Sequence, residues 1–293
     1  MLALLAAVPV AGAAFSGTAR ALAAGSTAAR IRKVQASAGR MLDVWTWSSS
    51  AARAGTIAFS HGFGSSPRQY LRLIHPWLAA GYDVLAPLHA ESTDNRPGDG
   101  RAGTDLWASR IEDMRAVAGL IEGPYFAAGH SFGALGALVL GGAAPVVPQG
   151  ITGPTADDRV RGVIALSPPP PAPALITAAG YATLARPALI QTGTRDLLPA
   201  AVQDPQSWRA HLAAFAFSSC GGDRHALVLE GADHYFGGLI CDARRTAADQ
   251  RTQLRLTIDA TRAFLAARDS AQGSEGQQRP AFPAHPQARF YWR

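Results

Sequence analysis

Three residue types that together can carry out acyl transfer stand far apart in this sequence. Ser131 lies in a Gly-His-Ser-Phe-Gly pentapeptide at residues 129–133, and Asp196 and His234 each follow a later apolar run. A serine hydroxyl is unreactive at its own pKa, but a histidine can take its proton, and a carboxylate can hold the imidazole and its growing charge. The three side chains therefore form a candidate nucleophile, acid and base.

The pentapeptide matches the pattern G-x-S-x-G, and its surroundings predict a sharp turn between a strand and a helix. An apolar run precedes it, and an Ala/Leu-rich helical pattern follows. We expect Gly129 and Gly133 to be required because a Cβ at either position would crowd the turn. The first backbone N–H groups of this helix would stabilise negative charge that develops next to Ser131. Taken alone, the pattern also fits a glycine-rich turn with an incidental serine.

Apolar runs alternate with segments of helical periodicity from residue 56 to residue 267. Short continuous apolar runs are typical of strands buried on both faces. Such alternation predicts an α/β fold with a mostly parallel central sheet and helices on both faces. The 20 or so residues between 167 and 187 leave no room for a large cap domain. Strands are predicted near 41–47, 56–60, 82–87, 125–130, 161–166, 187–193 and 225–230, and helices near 65–80, 104–122, 132–140, 206–217 and 246–267.

Ligands of parallel α/β sheets bind at the carboxyl ends of the strands. Ser131, Asp196 and His234 all follow predicted strands, and so does the His-Gly-Phe-Gly turn at 61–64. The acid has two alternatives, Asp204 and Asp233, although Asp233 adjoins His234 and neighbouring side chains usually diverge.

The other histidines are expected to have supporting roles. His61 and His130 flank the predicted site and should orient loops, whereas His225 begins a strand at the opposite edge and should be structural. A metal site from His89, Glu91 and Asp94 is conceivable, but their spacing matches no ligand pattern. We therefore expect neither a metal nor an organic cofactor.

The order serine, acid, histidine, together with the pentapeptide, resembles that of the α/β-hydrolases. The resemblance covers residues 41–267 and includes an acid turn, Thr-Gly-Thr-Arg-Asp at 192–196, and a histidine loop, Gly-Ala-Asp-His-Tyr-Phe at 231–236. Within that superfamily the chain is most similar to bacterial exported esterases of the predicted dienelactone-hydrolase type, relatives of cutinase-like polyester hydrolases. It differs from dienelactone hydrolases proper, whose nucleophile is a cysteine.

The resemblance implies a serine esterase that works through an acyl-enzyme. Ser131 would be the nucleophile, His234 the base and Asp196 the orienting acid. The alternatives are a peptidase or an acyltransferase on the same triad, or a catalytically silent protein that binds an apolar ligand or a partner.

The resemblance also implies how the substrate, a small or polymeric ester, would be held. The backbone N–H groups of Phe63 and Phe132 would form the oxyanion hole. Phe63, Tyr235 and Phe236 would line an open, apolar substrate-binding rim.

Composition suits one large domain and argues against a nucleic-acid partner. The chain has 293 residues, of which 48% are hydrophobic and 16% charged, enough for a substantial core. Its formal charge of +6 comes almost wholly from scattered arginines, since Lys33 is the only lysine. No basic stripe or stacking motif accompanies that charge.

The two ends have a different composition. Residues 1–24 are Ala/Leu/Val-rich and resemble a secretory signal peptide, although no positive charge precedes the apolar run, so we expect export to the periplasm or medium. Interruptions at Pro9, Gly12 and Ser16 make this stretch a poor membrane span. Residues 268–293 are expected to form a polar tail with an aromatic end.

The chain has two cysteines, Cys220 and Cys241. In an exported protein they are expected to pair, and the bridge would tie down the loop that carries His234. The alternative is a pair of buried free thiols.

Overall fold

The computed structural model describes residues 28–37, 39–95, 105–221, 223–245, 247–270 and 279–293. The predicted signal peptide at 1–24 and residues 96–104 lie outside these ranges. The strands are β1 (Arg30–Ser37), β2 (Arg40–Trp47), β3 (Gly55–Ser60), β4 (Tyr82–Pro87), β5 (Tyr125–His130), β6 (Val160–Leu166), β7 (Ala188–Gly193), β8 (Arg224–Leu229) and β9 (Ala288–Trp292). The helices are α1 (Leu71–Ala79), α2 (Leu106–Gly119), α3 (Phe132–Leu140), α4 (Ala178–Ala182), α5 (Ala213–Phe217) and α6 (Arg251–Ser270).

All of these strands join one sheet in the order β1-β2-β4-β3-β5-β6-β7-β8-β9. Neighbours from β4 to β8 run parallel, whereas β1, β2 and β9 are antiparallel to the strands beside them. The predicted, mostly parallel sheet is therefore confirmed. In its parallel part, the carboxyl-terminal ends of β3, β5, β7 and β8 lie at the same end of the sheet.

Helices pack on both faces of the sheet because each strand of the parallel part is apolar on both sides. On one face, Trp77 of α1 and Phe264 of α6 belong to the same buried cluster, and the Trp77 indole donates to Thr261 of α6 over 3.0 Å. On the other face, Met114 of α2 and Leu135 of α3 belong to a second cluster. Burying a side chain of this size contributes about 2 kcal/mol. No helix within the described ranges is long and apolar enough to cross a membrane.

The sheet extends beyond the predicted domain limits of 41 and 267. The residues before 41 contain β1, and the predicted polar tail contains β9, whose Phe290 lies opposite Leu227 of β8. β1 was missed because it is a mostly exposed edge strand, so its sequence need not be apolar. Between residues 167 and 187 the chain forms only the short helix α4, so no large cap covers this part of the sheet.

Three helix predictions need adjustment. Asp105 caps α2 by accepting the amides of Trp107 and Ala108, and residue 104, where this helix was predicted to begin, lies outside the described residues. Residues 207–212 form a 3₁₀ turn before the short α5, and α6 begins at Arg251 instead of 246.

The predicted disulfide is wrong, since both cysteines are free. Cys220 precedes β8, and its sulfur accepts a hydrogen bond from Arg293 over 3.2 Å. Cys241 follows β8, where a Cβ on Gly62 would lie 3.1 Å from its sulfur. A six-residue strand spans about 20 Å, whereas a disulfide needs Cα atoms within about 7 Å. Because Cys220 precedes β8 and Cys241 follows it, the two cysteines lie at opposite ends of this strand.

We therefore expect two titratable thiols with different reactivities in protein purified without reductant. Cys220 is exposed and should react rapidly with a disulfide reagent. Cys241 is buried, and burial raises the pKa of its thiol, so it should react only after unfolding. Thiol titration before and after denaturation tests this, with Cys220→Ser removing the rapid phase. Denatured, unreduced protein without free thiols would contradict it.

Candidate active site

Ser131 occupies a strained turn between β5 and α3. Its backbone has φ 55° and ψ −123°, a region that costs a non-glycine residue about 1–3 kcal/mol. A Cβ on Gly129 would lie 2.2 Å from the oxygen of Gly133, and one on Gly133 would lie 2.0 Å from the oxygen of Ser60. The predicted need for glycine at both positions is thereby confirmed. The Ser131 amide donates to Leu166 of β6 over 2.8 Å, which fixes the turn against the neighbouring strand.

The acid turn after β7 and the histidine loop after β8 pack backbone to backbone. The amide of Arg195 donates to the carbonyl of Ala232 over 2.9 Å. A Cβ on Gly193 would lie 2.2 Å from that same carbonyl oxygen, so only glycine permits the approach. This contact sets the distance between the residues that follow, Asp196 and His234.

Asp196 and His234 form a close hydrogen-bonded pair. His234 Nδ1 lies 2.7 Å from Asp196 Oδ1, and the Thr192 hydroxyl donates to Asp196 Oδ2 over 2.9 Å. The carboxylate is only 1% exposed. Burial alone would raise the pKa of Asp196, but the nearby imidazole of His234, the contact of His211 and the hydrogen bond of His234 hold it well below its usual range. Asp196 is therefore ionised and oriented by its neighbours.

The other two candidate acids are engaged elsewhere. Asp233 Oδ1 accepts the amides of Tyr235 and Gly237 over 2.9 and 3.0 Å, and Oδ2 accepts the side chain of Gln250 over 2.7 Å. Asp204 accepts the amide of Gln206 in an exposed turn. The geometry therefore makes Asp196 the carboxylate partner of His234.

The histidine loop is also tied to the serine turn. His130, the residue before Ser131, has its Nε2 2.9 Å from the carbonyl of His234, and the two rings lie 4.7 Å apart. Among the described residues, neither the Ser131 hydroxyl nor His234 Nε2 has a hydrogen-bond partner. Catalytic hydrogen bonds of this kind often tighten only when substrate is bound.

A directed chain of hydrogen bonds links three turns around the site. A carbonyl only accepts, so His130 Nε2 must carry the proton that it donates to His234. Burial, and then the nearby His234, lower the pKa of His130, so this imidazole is neutral and its Nδ1 accepts from the Tyr70 hydroxyl over 2.9 Å. Tyr70 in turn accepts the Gly62 amide over 2.9 Å. The predicted loop-orienting role of His130 has this physical basis.

We expect Tyr70→Phe to reduce activity without abolishing it. The change leaves the Gly62 amide and His130 Nδ1 unpaired in a buried site, which costs about 1–3 kcal/mol each. The turn at 61–64 and the histidine loop should both loosen, so that kcat for ester hydrolysis falls about 10-fold and the melting temperature drops. Steady-state kinetics and thermal unfolding measure both effects, and wild-type values for both would contradict the proposed chain.

The two predicted oxyanion donors flank the serine turn. Phe132 is the first residue of α3, and neither its amide nor that of Phe63 donates to another described residue. Arg110 of α2 holds the 61–64 turn by donating to the His61 carbonyl over 2.8 Å, and it is paired with Glu91. Its guanidinium also lies 4.5 Å from the centre of the Phe132 ring. Sequence reasoning missed Arg110, which is one of many scattered arginines.

The predicted apolar rim is partly corrected. Phe63 is 61% exposed, with its ring 6.5 Å from that of Phe132, and the buried ring of Trp107 lies 5.6 Å from that of Phe132. Tyr235 is partly buried, edge-on to the His234 ring. Phe236, by contrast, is 0% exposed within the core cluster of α1 and α6, so it cannot line an open rim.

The conceivable metal ligands His89, Glu91 and Asp94 each face another side chain. Their partners are Asp113 for His89, Arg110 for Glu91 and Arg68 for Asp94.

A different trio, Asp196, His211 and His234, has ligand atoms within 4.8 Å of one another. Hydrogen bonds and charge contacts within this trio already account for that clustering.

Comparisons with known proteins agree on the fold. No protein-family model and no curated protein sequence matches the chain. Among solved structures, it is similar to a thermostable carboxyl esterase from Bacillus coagulans, with a TM-score of 0.59, 14% identity and coverage of 83% of this chain and 99% of that one. An α/β serine hydrolase homologue from Coxiella burnetii has a TM-score of 0.54 and 19% identity, covering 78% and 95%. Thermogutta terrifontis esterase 2, in a form phosphorylated by paraoxon, has a TM-score of 0.54 and 17% identity, covering 81% and 93%.

Proposed function

We propose that this chain, which has the α/β-hydrolase fold, hydrolyses carboxylic esters with Ser131 as its nucleophile. The observation that carries the proposal is the 2.7 Å contact of His234 with the buried Asp196, on a loop hydrogen-bonded to the residue before Ser131. A strained serine at the start of a helix, next to a carboxylate-oriented imidazole, is the arrangement that acyl transfer requires.

Acylation would begin when His234 Nε2 takes the proton of the Ser131 hydroxyl as its oxygen attacks the ester carbonyl. Asp196 would stabilise the imidazolium that forms. The negative oxygen of the tetrahedral intermediate would accept the amides of Phe63 and Phe132. His234 would then give the proton to the departing alcohol, which leaves the acyl group on Ser131.

Deacylation would repeat these steps with water as the nucleophile. His234 would take a proton from water, the hydroxide would attack the acyl carbonyl, and the proton would return to Ser131 as the carboxylic acid leaves. The short segment between β6 and β7 leaves this part of the site open, which favours water over a bound acyl acceptor. The exposed ring of Phe63, next to the partly buried ring of Phe132, suits an apolar acyl or alcohol group.

The narrower likeness to exported dienelactone-hydrolase-type and cutinase-like esterases rests on sequence. Residues 1–24 support the further proposal that the protein is exported and processed after residue 23 or close to it. Amino-terminal sequencing of protein recovered from outside the cytoplasm would test it, and full-length protein confined to the cytoplasm would refute it.

A fluorophosphonate probe tests the proposed nucleophile, and a substrate panel tests the reaction class. Mass spectrometry should locate the adduct on Ser131, and Ser131→Ala should prevent labelling. Hydrolysis of p-nitrophenyl esters should exceed that of peptide anilides by orders of magnitude. Absent labelling would favour a silent binding protein, whereas rapid anilide cleavage would favour a peptidase.

A further inference from the structure

A second histidine faces the same carboxylate as His234. His211 lies on the 3₁₀ turn Ser207–Leu212, between β7 and β8, and is only 4% exposed. Its Nδ1 lies 2.7 Å from the carbonyl oxygen of Pro168, and its Nε2 lies 3.2 Å from Asp196 Oδ1. That oxygen is the one that His234 also contacts. One carboxylate oxygen is therefore shared by two imidazoles.

The contacts of His211 determine where its protons are. The Pro168 carbonyl can only accept, so Nδ1 carries a proton. Nε2 lies 3.2 Å from an ionised carboxylate oxygen in a buried site, so a proton on Nε2 places a positive charge beside a negative one. The N–H direction of Nε2 is off the line to that oxygen, so the contact is one of charge with charge and not a directed hydrogen bond. The doubly protonated imidazolium is the form that fits both neighbours.

The electrostatic surroundings agree with this protonation state. Burial opposes a charge on His211, but the close contact with the negatively charged Asp196 outweighs it and raises the pKa of His211. The nearest other side chain that could carry a positive charge beside Asp196 is His234, whose ring lies 5.8 Å from that of His211. The remaining polar neighbours are directed elsewhere, with His130 neutral between Tyr70 and His234, the Tyr181 hydroxyl donating to Pro169, and Arg209 donating to Gln206.

We propose that His211 is a positioning residue that, as an imidazolium, shares the Asp196 carboxylate with His234. The inference rests on the proposed triad and adds a charge to it. Part of the negative charge of Asp196 is neutralised by His211, so the carboxylate favours the protonated form of His234 less strongly. The charge of His211 therefore helps to set the pH at which esterase activity appears. The contact with Pro168 also anchors Asp196 to the end of β6.

The first test compares pH profiles of kcat/KM for an ester substrate. His211→Gln removes the charge but leaves an amide of similar reach. With the carboxylate no longer shared, protonation of His234 becomes easier, so the acid limb should move to higher pH by about 0.5–1 unit. His225→Gln is the matched control, because His225 is equally buried and faces Asp223 at the opposite edge of the sheet. Its acid limb should stay at the wild-type position.

A purely structural His211 would lower activity evenly across pH, and an unmoved acid limb would overturn the proposal. The second test needs no substitution of His211 and no activity. Long-range ¹H–¹⁵N NMR of the full chain carrying Ser131→Ala should show both nitrogens of His211 protonated at pH 7. A neutral tautomer there would overturn the proposal even if His211→Gln fails to fold. If the proposed function itself is wrong, esterase activity should survive Ser131→Ala, and this outcome differs from both tests of His211.

Discussion

Ser131→Ala should abolish ester hydrolysis while leaving the fold intact, with a loss of kcat of about 10⁴-fold or more. The hydroxyl makes no hydrogen bond within the described structure, so its removal breaks no stabilising contact. Alanine also tolerates the turn no worse than serine, because both carry the same Cβ at φ 55°. Steady-state kinetics on a p-nitrophenyl ester should thus show the loss at an unchanged melting temperature.

The residual rate is informative. Amides of an oxyanion hole and substrate binding alone can retain catalysis about 10³-fold above that of water after the nucleophile is removed. Activity within 10-fold of wild type would mean that Ser131 is not the nucleophile. In that case the strained turn would need another explanation.

Asp196→Asn should lower kcat about 10³- to 10⁴-fold. An amide that donates to His234 Nδ1 would leave the proton on Nε2, the nitrogen that must accept the serine proton. With the NH2 group in that position, His234 and His211 lose the oxygen that they share, while the Thr192 hydroxyl keeps an oxygen acceptor. Kinetics at saturating ester, compared with wild type, measure the effect.

The same substitution should destabilise the protein in a pH-dependent way. The pKa of Asp196 is depressed in the folded state, so its stabilising contribution is fully present above the unfolded value of about 3.9. It is lost as pH falls through the lower folded value. Denaturant unfolding should therefore show a difference from wild type at pH 7 that shrinks in strong acid.

The matched control is Asp204→Asn, which alters an aspartate on an exposed turn between β7 and β8. It should keep kcat and stability near wild-type values. If instead this variant lost activity and Asp196→Asn did not, the assignment of the acid would be wrong.

Local pattern predicted the parallel core of the fold well. Strands buried on both faces must be apolar throughout, and the helices between them must show a 3.6-residue period, so both signals are written in short stretches of sequence. The glycines at 129 and 133 could likewise be foreseen, because a sharp turn leaves no space for a Cβ there. Edge strands carry a weaker signal, since water can cover one or both of their faces, and β1 and β9 were accordingly missed.

Pairing across the sheet was harder to predict. The cysteines were expected to bond because the protein was predicted to be exported, yet they flank one strand and therefore lie at its opposite ends. Phe236 was assigned to the rim by its neighbours in sequence, but the backbone of the loop turns its ring into the core. In neither case did residue type and position along the chain reveal which groups meet in space.

Residue types and their order along the chain were sufficient to identify the serine turn, the acid turn, the histidine loop and the layered α/β architecture. Which aspartate meets His234, how Tyr70 and His130 join three turns, and that His211 shares the carboxylate all depended on how the strand ends and loops meet. The physical reason is that backbone propensity and hydrophobic period act over a few residues. A hydrogen bond between distant loops depends instead on the register and packing of the whole sheet.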